Sequence, residues 1–243
     1  MTRSTTSAVA LVTGANKGIG LEIARGLAQR GHTVLVGARD AGRGEDAAAE
    51  LAADGLDARF LPLDVTVEQS VTEAAGRIAD EFGRLDVLVN NAGINDETQD
   101  APSRTSVKAM RTVYETNVFG VVGVTNAMLP LLRRCPAARI VNVSSGLGSI
   151  TRHLSPDLGY PLFLPYNSSK TALNSITVQY ARELRDTPIK VNACTPGLCA
   201  TDMSGHRGDR TAAQGAAIAI ALATLDADGP SGAFLADDGP VPW

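Results

Sequence analysis

Cysteine, cationic excess and long apolar runs are all in short supply in this chain of 243 residues. Its three cysteines, Cys135, Cys194 and Cys199, include no closely spaced pair of the metal-binding kind. An odd count without such a pair argues against both a disulfide framework and a zinc site, and fits a reducing compartment. The formal net charge of -4 and pI near 5.4 give no general attraction to phosphate backbones or anionic lipid. The apolar segment Ala8–Val12, which follows the polar MTRSTTS, is too short for a signal core, and Ala212–Leu225 falls short of a bilayer span. Together these absences predict a cytoplasmic protein with no metal, no nucleic-acid partner and no membrane segment.

What is present is the balance of a globular chain, 44% hydrophobic and 20% charged. Its length suits one α/β domain covering residues 1–243. Short runs rich in Val, Leu and Ile recur at Val9–Thr13, Thr33–Ala38, Ala58–Leu63, Val87–Asn90, Arg139–Ser144 and Lys190–Thr195, with a weaker one at Ala233–Ala236. Helical patterns fill the intervals Gly18–Arg30, Gly42–Ala53, Glu68–Phe82, Ser106–Arg133 and Tyr166–Arg185, and Ala212–Leu225 reads as a buried helix. Alternation of this kind predicts a doubly wound parallel sheet of about seven strands with helices on both faces, and ligands at the carboxyl ends of the strands.

The first run leads into Gly14-Ala15-Asn16-Lys17-Gly18-Ile19-Gly20, and an amphipathic segment follows at once. Glycines suit a turn that needs positive φ and brings its backbone against a pyrophosphate, which free N–H groups and the helix dipole then hold. Strand before and helix after favour nucleotide binding over a plain tight turn. Three residues rather than one separate the first two glycines.

Tyrosine and lysine are both scarce. With four of each in 243 residues, some Tyr-x-x-x-Lys pair arises by chance about 7% of the time, so Tyr166 and Lys170 are suggestive alone. Their spacing places both side chains on one helix face if Tyr166 opens the helix. A phenol, with a pKa of about 10, donates a proton readily, and a neighbouring cation eases its ionisation. Ser145, at the end of the run Arg139–Ser144, can hydrogen-bond a reacting oxygen; strand alternation points the adjacent Ser144 the other way.

These motifs, in this order, resemble the short-chain dehydrogenase/reductase family: Thr13-Gly14-x-x-x-Gly18-x-Gly20, Asp64, Asn90-Asn91-Ala92-Gly93, Asn117, Ser145, Tyr166-x-x-x-Lys170 and Pro196-Gly197. The resemblance spans essentially the whole chain and implies a Rossmann-type fold. Asn16-Lys17, Ala38-Arg39-Asp40, Thr201-Asp202-Met203 and Trp243 resemble the carbonyl reductase branch. The family pattern implies Asn117, Ser145, Tyr166 and Lys170 as the catalytic set, Asn117 holding a water in a proton relay to the lysine. It implies adenine contact by Asp64 beside Val65, although a helix N-cap also explains Asp64. The same resemblance implies that Asn90 and Asn91 order the sheet end, that Gly93, beside Ala92, lets the cofactor pass close to the backbone, that Pro196-Gly197 presents backbone groups to the nicotinamide carboxamide, and that Thr201 contacts the carboxamide or pyrophosphate.

Cofactor choice turns on the end of the second strand. Asp40 lies at the distance where an acid would hold the ribose 2′-hydroxyl of NAD. The strand ends at Ala38, however, where the resemblance places the NAD-selecting acid, and Arg39, Arg43 and Lys17 stand ready for a 2′-phosphate. NADPH/NADP is therefore the expected cofactor. The competing reading leaves Arg39 and Arg43 solvated at a helix start, with Asp40 as the cap.

The expected reaction is reduction of a ketone, aldehyde or quinone. Alternatives are alcohol oxidation by the same residues, enone reduction, and a non-catalytic nucleotide sensor. His153 and His206 fall in expected loops, and no Ser-His-Asp order suggests a hydrolase. The small-molecule substrate is expected between loops at approximately 146–165 and 198–210, the apolar stretch Leu158–Leu164 forming a wall and Leu198–Arg210 a lid. Monomer and homo-oligomer remain open.

Overall fold

The computed structural model describes residues 7–95, 101–155 and 161–243. Strands β1 (Val9–Thr13), β2 (Thr33–Ala38), β3 (Ala58–Pro62), β4 (Val87–Asn90), β5 (Arg139–Val143), β6 (Lys190–Cys194), β7 (Phe234–Ala236) and β8 (Gly239–Pro240) form one sheet. Its order is β3-β2-β1-β4-β5-β6-β7-β8. The first seven strands run parallel, and the two-residue β8, absent from the sequence expectation, closes the edge antiparallel to β7.

Alternation along each strand divides the core between two faces. Ala10 and Val12 of β1 join Val87 and Val89 of β4 beneath α1 (Gly18–Ala28), α2 (Ala41–Ala53) and α8 (Ala212–Ala223). Val9, Leu11 and Leu88 pack on the opposite face against α3 (Glu68–Phe82), α5 (Gly120–Leu132) and α7 (Leu164–Glu183). Fully buried leucines such as Leu27 and Leu132 each contribute about 2 kcal/mol by leaving water. The chain reverses direction across the sheet between β1 and β4, opening a crevice at their carboxyl ends.

The structure corrects three details. The expected helix Ser106–Arg133 is α4 (Val107–Tyr114), a π turn at Glu115–Phe119, and then α5. Helix α7 starts at Leu164, with Pro165 in its first turn, so Tyr166 stands inside the helix rather than opening it. The stretch expected as a loop at 146–165 begins with a 3-10 turn at Gly146–Gly148 and the short helix α6 (Ile150–His153), which takes His153 out of a loop. Residues 156–160, including Leu158, Gly159 and Tyr160 of the proposed apolar wall, lie outside the described residues. No helix among the described residues is long and apolar enough to cross a membrane.

Candidate active site

A cleft of about 560 Å³ opens over the carboxyl ends of β1, β2 and β4, a size suited to a small-molecule ligand. Gly14, Asn16, Lys17, Gly18, Ile19 and Gly20 line its floor. Gly14 has φ +63°, and a Cβ there would lie 2.9 Å from Ala92 Cα, while one on Gly20 would lie 2.4 Å from Asn91 Nδ2. No larger residue fits either position without displacing the asparagine segment beside it.

That segment is pinned from both sides. Thr13 Oγ1 accepts from the Asn91 and Ala92 backbone N–H groups, both at 3.0 Å. Asn91 Nδ2 donates to the carbonyls of Thr13 and Gly14 at 2.9 and 3.1 Å. Asn90 Nδ2 is buried against Asn142 Oδ1 and Thr125 Oγ1. Asn91, Ala92 and Gly93 therefore line the cleft on a fixed backbone.

At the far end the cleft is lined by Arg39, Asp40, Arg43, Asp64 and Val65. Asp40 caps α2, accepting from Arg43 N at 3.0 Å, and its carboxylate also pairs with the Arg43 guanidinium at 3.0 Å. Those contacts hold the Asp40 carboxyl below its ordinary range. Lys17 reaches across to Asp202, Nζ to Oδ2 2.5 Å, which likewise lowers the Asp202 carboxyl. Two of the three expected phosphate cations thus already carry a carboxylate partner, whereas Arg39 is exposed beside Asp40. Asp64 is not an N-cap: Val67 occupies that position, and Asp64 Oδ1 accepts instead from Thr66 N and Oγ1 at 2.9 and 2.7 Å.

The proton-transfer candidates meet where β5, the π turn and α7 converge. Ser145 and Tyr166 are neighbours here: burial pushes the Tyr166 phenol up, and the Ser145 hydroxyl draws it partway back. Ser144 turns the other way, donating to Asn174 Oδ1 at 2.6 Å. Lys170 is 4% exposed, and burial lowers its ammonium to about 8. Its Nζ donates to Val143 O at 2.8 Å and lies 5.6 Å from the Tyr166 ring centroid.

Asn117 is fully buried inside the π turn. Its amide holds the Ile94 backbone through Nδ2 to O and from N to Oδ1, both 2.9 Å, and donates to Ser169 Oγ at 3.0 Å. Ser169 Oγ in turn donates to Tyr166 O at 2.7 Å. A Cβ on Gly93 would sit 3.4 Å from Asn117 Oδ1 and 3.5 Å from Lys170 Nζ, so the missing side chain keeps the cleft open toward the lysine. A π turn of this kind costs regular hydrogen bonding and places a side chain that a regular helix would aim elsewhere.

Thr195 joins the remaining turns, its Oγ1 accepting from Gly146 N at 2.9 Å just before Pro196-Gly197. Gly197 has φ +74°. Thr201 caps a 3-10 turn at Asp202–Ser204 and lines the cleft. The strip Leu198–Arg210 is closed on itself by Ala200 N to Arg210 O at 2.8 Å, and Arg210 pairs with Asp237. The contacts of Thr195, Ser169 and Asp202 escape a reading of the sequence, since their partners are set by the tertiary fold.

A family model for short chain dehydrogenases matches residues 8–212. A short-chain dehydrogenase of Penicillium roqueforti is 40% identical over 228 residues, covering 90% of this chain and 89% of that protein. Carbonyl reductase 1 (NADPH) of Rattus norvegicus is 35% identical over 277 aligned residues, covering 97% and 98%. The solved structure of an NADPH-bound carbonyl reductase from chicken fatty liver superposes with a TM-score of 0.86 at 31% identity, over 98% of this chain and 99% of that one. The glycine turn, the half-buried Tyr166 beside the buried Lys170 and these matches agree: the chain belongs to the short-chain dehydrogenase family.

Proposed function

We propose that residues 1–243 form one dinucleotide-binding and catalytic unit that reduces the carbonyl group of a small ketone, aldehyde or quinone, using NADPH. The observation that carries this reading is the convergence of Ser145, Tyr166 and Lys170 next to a cleft that also bears Lys17, Arg39 and Arg43. The cleft suits the cofactor: its glycine floor admits a pyrophosphate against the backbone, and its cationic end suits a 2′-phosphate. NADPH, once bound there, supplies the hydride.

The chain's own residues handle the proton. Ser145 Oγ holds the substrate oxygen by a hydrogen bond and stabilises the charge that grows on it. Tyr166 gives its phenolic proton to that oxygen. Lys170, protonated and 5.6 Å from the ring centroid, favours the phenolate left behind, because a nearby cation lowers the cost of ionisation. Asn117 fixes the floor beneath Lys170 by holding Ile94 and Ser169. Pro196, Gly197 and Thr201 frame the nicotinamide end, Asp64 and Val65 the adenine end, and Asn16 and Ile19 the turn between them. A degenerate nucleotide sensor has no need of the complete Ser-Tyr-Lys set.

The test is consumption of NADPH over a panel of ketones, aldehydes and quinones with the alcohol products identified. The reading predicts turnover of several members. Consumption of none, with NADP-dependent oxidation of alcohols instead, favours the reverse direction; binding of NADPH without turnover in either direction overturns the assignment.

A further inference from the structure

Arg152 is the one described arginine withdrawn from solvent without an acceptor. Arg25, Arg43, Arg59, Arg133, Arg185 and Arg210 hold carboxylates. Arg30, Arg134, Arg139 and Arg207 donate to backbone carbonyls. Arg84 pairs with Asp86, and Arg104 is also engaged. Of the described arginines whose guanidinium has no bonded acceptor, Arg39, Arg77, Arg111 and Arg182 are exposed, whereas Arg152 is half-buried. A guanidinium that has lost part of its water without gaining an acceptor is a ready site for an oxyanion.

Its position gives the oxyanion a purpose. A Cβ at residue 146 would lie 3.0 Å from Arg152 Nη1 and 3.8 Å from Thr195 Oγ1, so the guanidinium sits over the turn that directly follows Ser145. Glycine at 146 leaves that approach unobstructed. The helix bearing Arg152 is also held firmly. Buried Ser149 caps it through Arg152 N at 3.2 Å, Thr151 N and Oγ1 both donate to Trp243 O at 3.0 and 2.7 Å, and the His153 ring meets Leu147 O at 2.8 Å. A cation on such a support has a fixed place beside the proposed carbonyl-binding serine.

We infer that Arg152 is a specificity-determining residue that selects carbonyl substrates carrying a carboxylate, bound to its guanidinium beside Ser145 while the carbonyl oxygen engages Ser145 and Tyr166. The inference rests on the carbonyl reduction proposed above. The products are the corresponding hydroxy acids: hydride adds to the carbonyl carbon, a proton to its oxygen, NADPH is oxidised to NADP, and the carboxylate is unchanged.

The experiment compares kcat/KM for the ortho, meta and para formylbenzoates with those for their methyl esters, in the wild type and in Arg152→Met and Arg152→Lys. The acid-to-ester ratio within one preparation cancels any loss of folded protein. At least one acid is expected to exceed its ester by 10-fold or more in the wild type. That ratio should fall to about 1 in Arg152→Met, mainly through KM, and recover partly in Arg152→Lys, since lysine keeps the charge but lacks the fork. Reduction of the esters with no acid preferred, or a preference that survives Arg152→Met, overturns the role of Arg152 and leaves carbonyl reduction standing. Failure to reduce acids, esters and simple uncharged carbonyls alike sinks both.

Discussion

Lys170 Nζ is tied at 2.8 Å to the carbonyl of Val143 and stands 5.6 Å from the Tyr166 ring centroid, so the strand end that carries Ser145 also fixes the cation beneath the phenol. The lysine is buried and its charge costs the fold free energy. That cost is the price of a cation near the proposed proton donor, and it gives the site a measurable pH signature.

Burial lowers the Lys170 ammonium from 10.5 to about 8. Below about 8 both folded and unfolded chains bind this proton, and the full penalty of a buried charge is present. Between about 8 and 10.5 only the unfolded chain binds it, so this group makes stability rise with pH, by at most about 3 kcal/mol. The buried thiols Cys135 and Cys194, pushed up to about 11 and about 12 from 9.0, act in the opposite sense at the alkaline end. Urea unfolding of the wild type and Lys170→Met, followed from about pH 7.5 to about pH 9.5, should therefore separate them: the wild type gains relative to the variant as pH rises. Parallel curves would contradict the buried-charge account.

The cationic end of the cleft predicts unequal effects. Arg39→Met should lower kcat/KM for NADPH by roughly 10- to 100-fold, the worth of one charge-assisted contact, with little change for NADH. Lys17→Met and Arg43→Met should cost less, because Asp202 already holds Lys17 at 2.5 Å and Asp40 the Arg43 guanidinium at 3.0 Å. Steady-state kinetics with both cofactors decide this, and an equal loss for NADH would remove the 2′-phosphate from the explanation.

Gly20→Ala should damage fold and cofactor binding together. The added carbon would lie 2.4 Å from Asn91 Nδ2 and 2.5 Å from Gly14 O, and relief requires breaking the hydrogen bonds that pin Asn91. A loss of about 2–3 kcal/mol corresponds to a drop in Tm of roughly 5–10 °C for a chain of this size. Differential scanning calorimetry with and without NADPH reads both effects; a wild-type midpoint would show that the turn has room to spare.

The strip Leu198–Arg210 is tied to the glycine turn by Lys17 and Asp202, an exposed ion pair, and such pairs contribute little by themselves. If the strip closes over bound cofactor, amide exchange along it slows when NADPH is added. Unchanged exchange there, with slowing at Gly14–Gly20, would show a static wall in place of a lid.

How much of this the sequence disclosed follows from what kind of interaction builds each part. The ranges of β1, β4 and α3 were legible to the residue, because apolar runs end there at glycine, asparagine or acidic turns. Strand β8 has only Gly239 and Pro240 and presents no period. The π turn leaves only a slight trace: one widened turn changes hydrogen bonding, Val118, Val121 and Val124 keep a helix-like apolar spacing, and the single step of five from Val113 to Val118 is too small a break to mark it. Tyr166, Lys170 and Ser145 were legible because their chemistry is written in residue type and spacing. The Lys17–Asp202 pair spans 185 positions, and Arg152 is placed by a four-residue helix within an expected loop. No local pattern announces either.

Proton donation by Tyr166 is the claim on which the functional account turns, and its most direct test is Tyr166→Phe, which removes one hydroxyl and keeps the ring. NADPH should bind the variant with a Kd within a few-fold of the wild type, while single-turnover carbonyl reduction falls by about 1000-fold. Reduction at the wild-type rate with binding intact would show that another group delivers the proton.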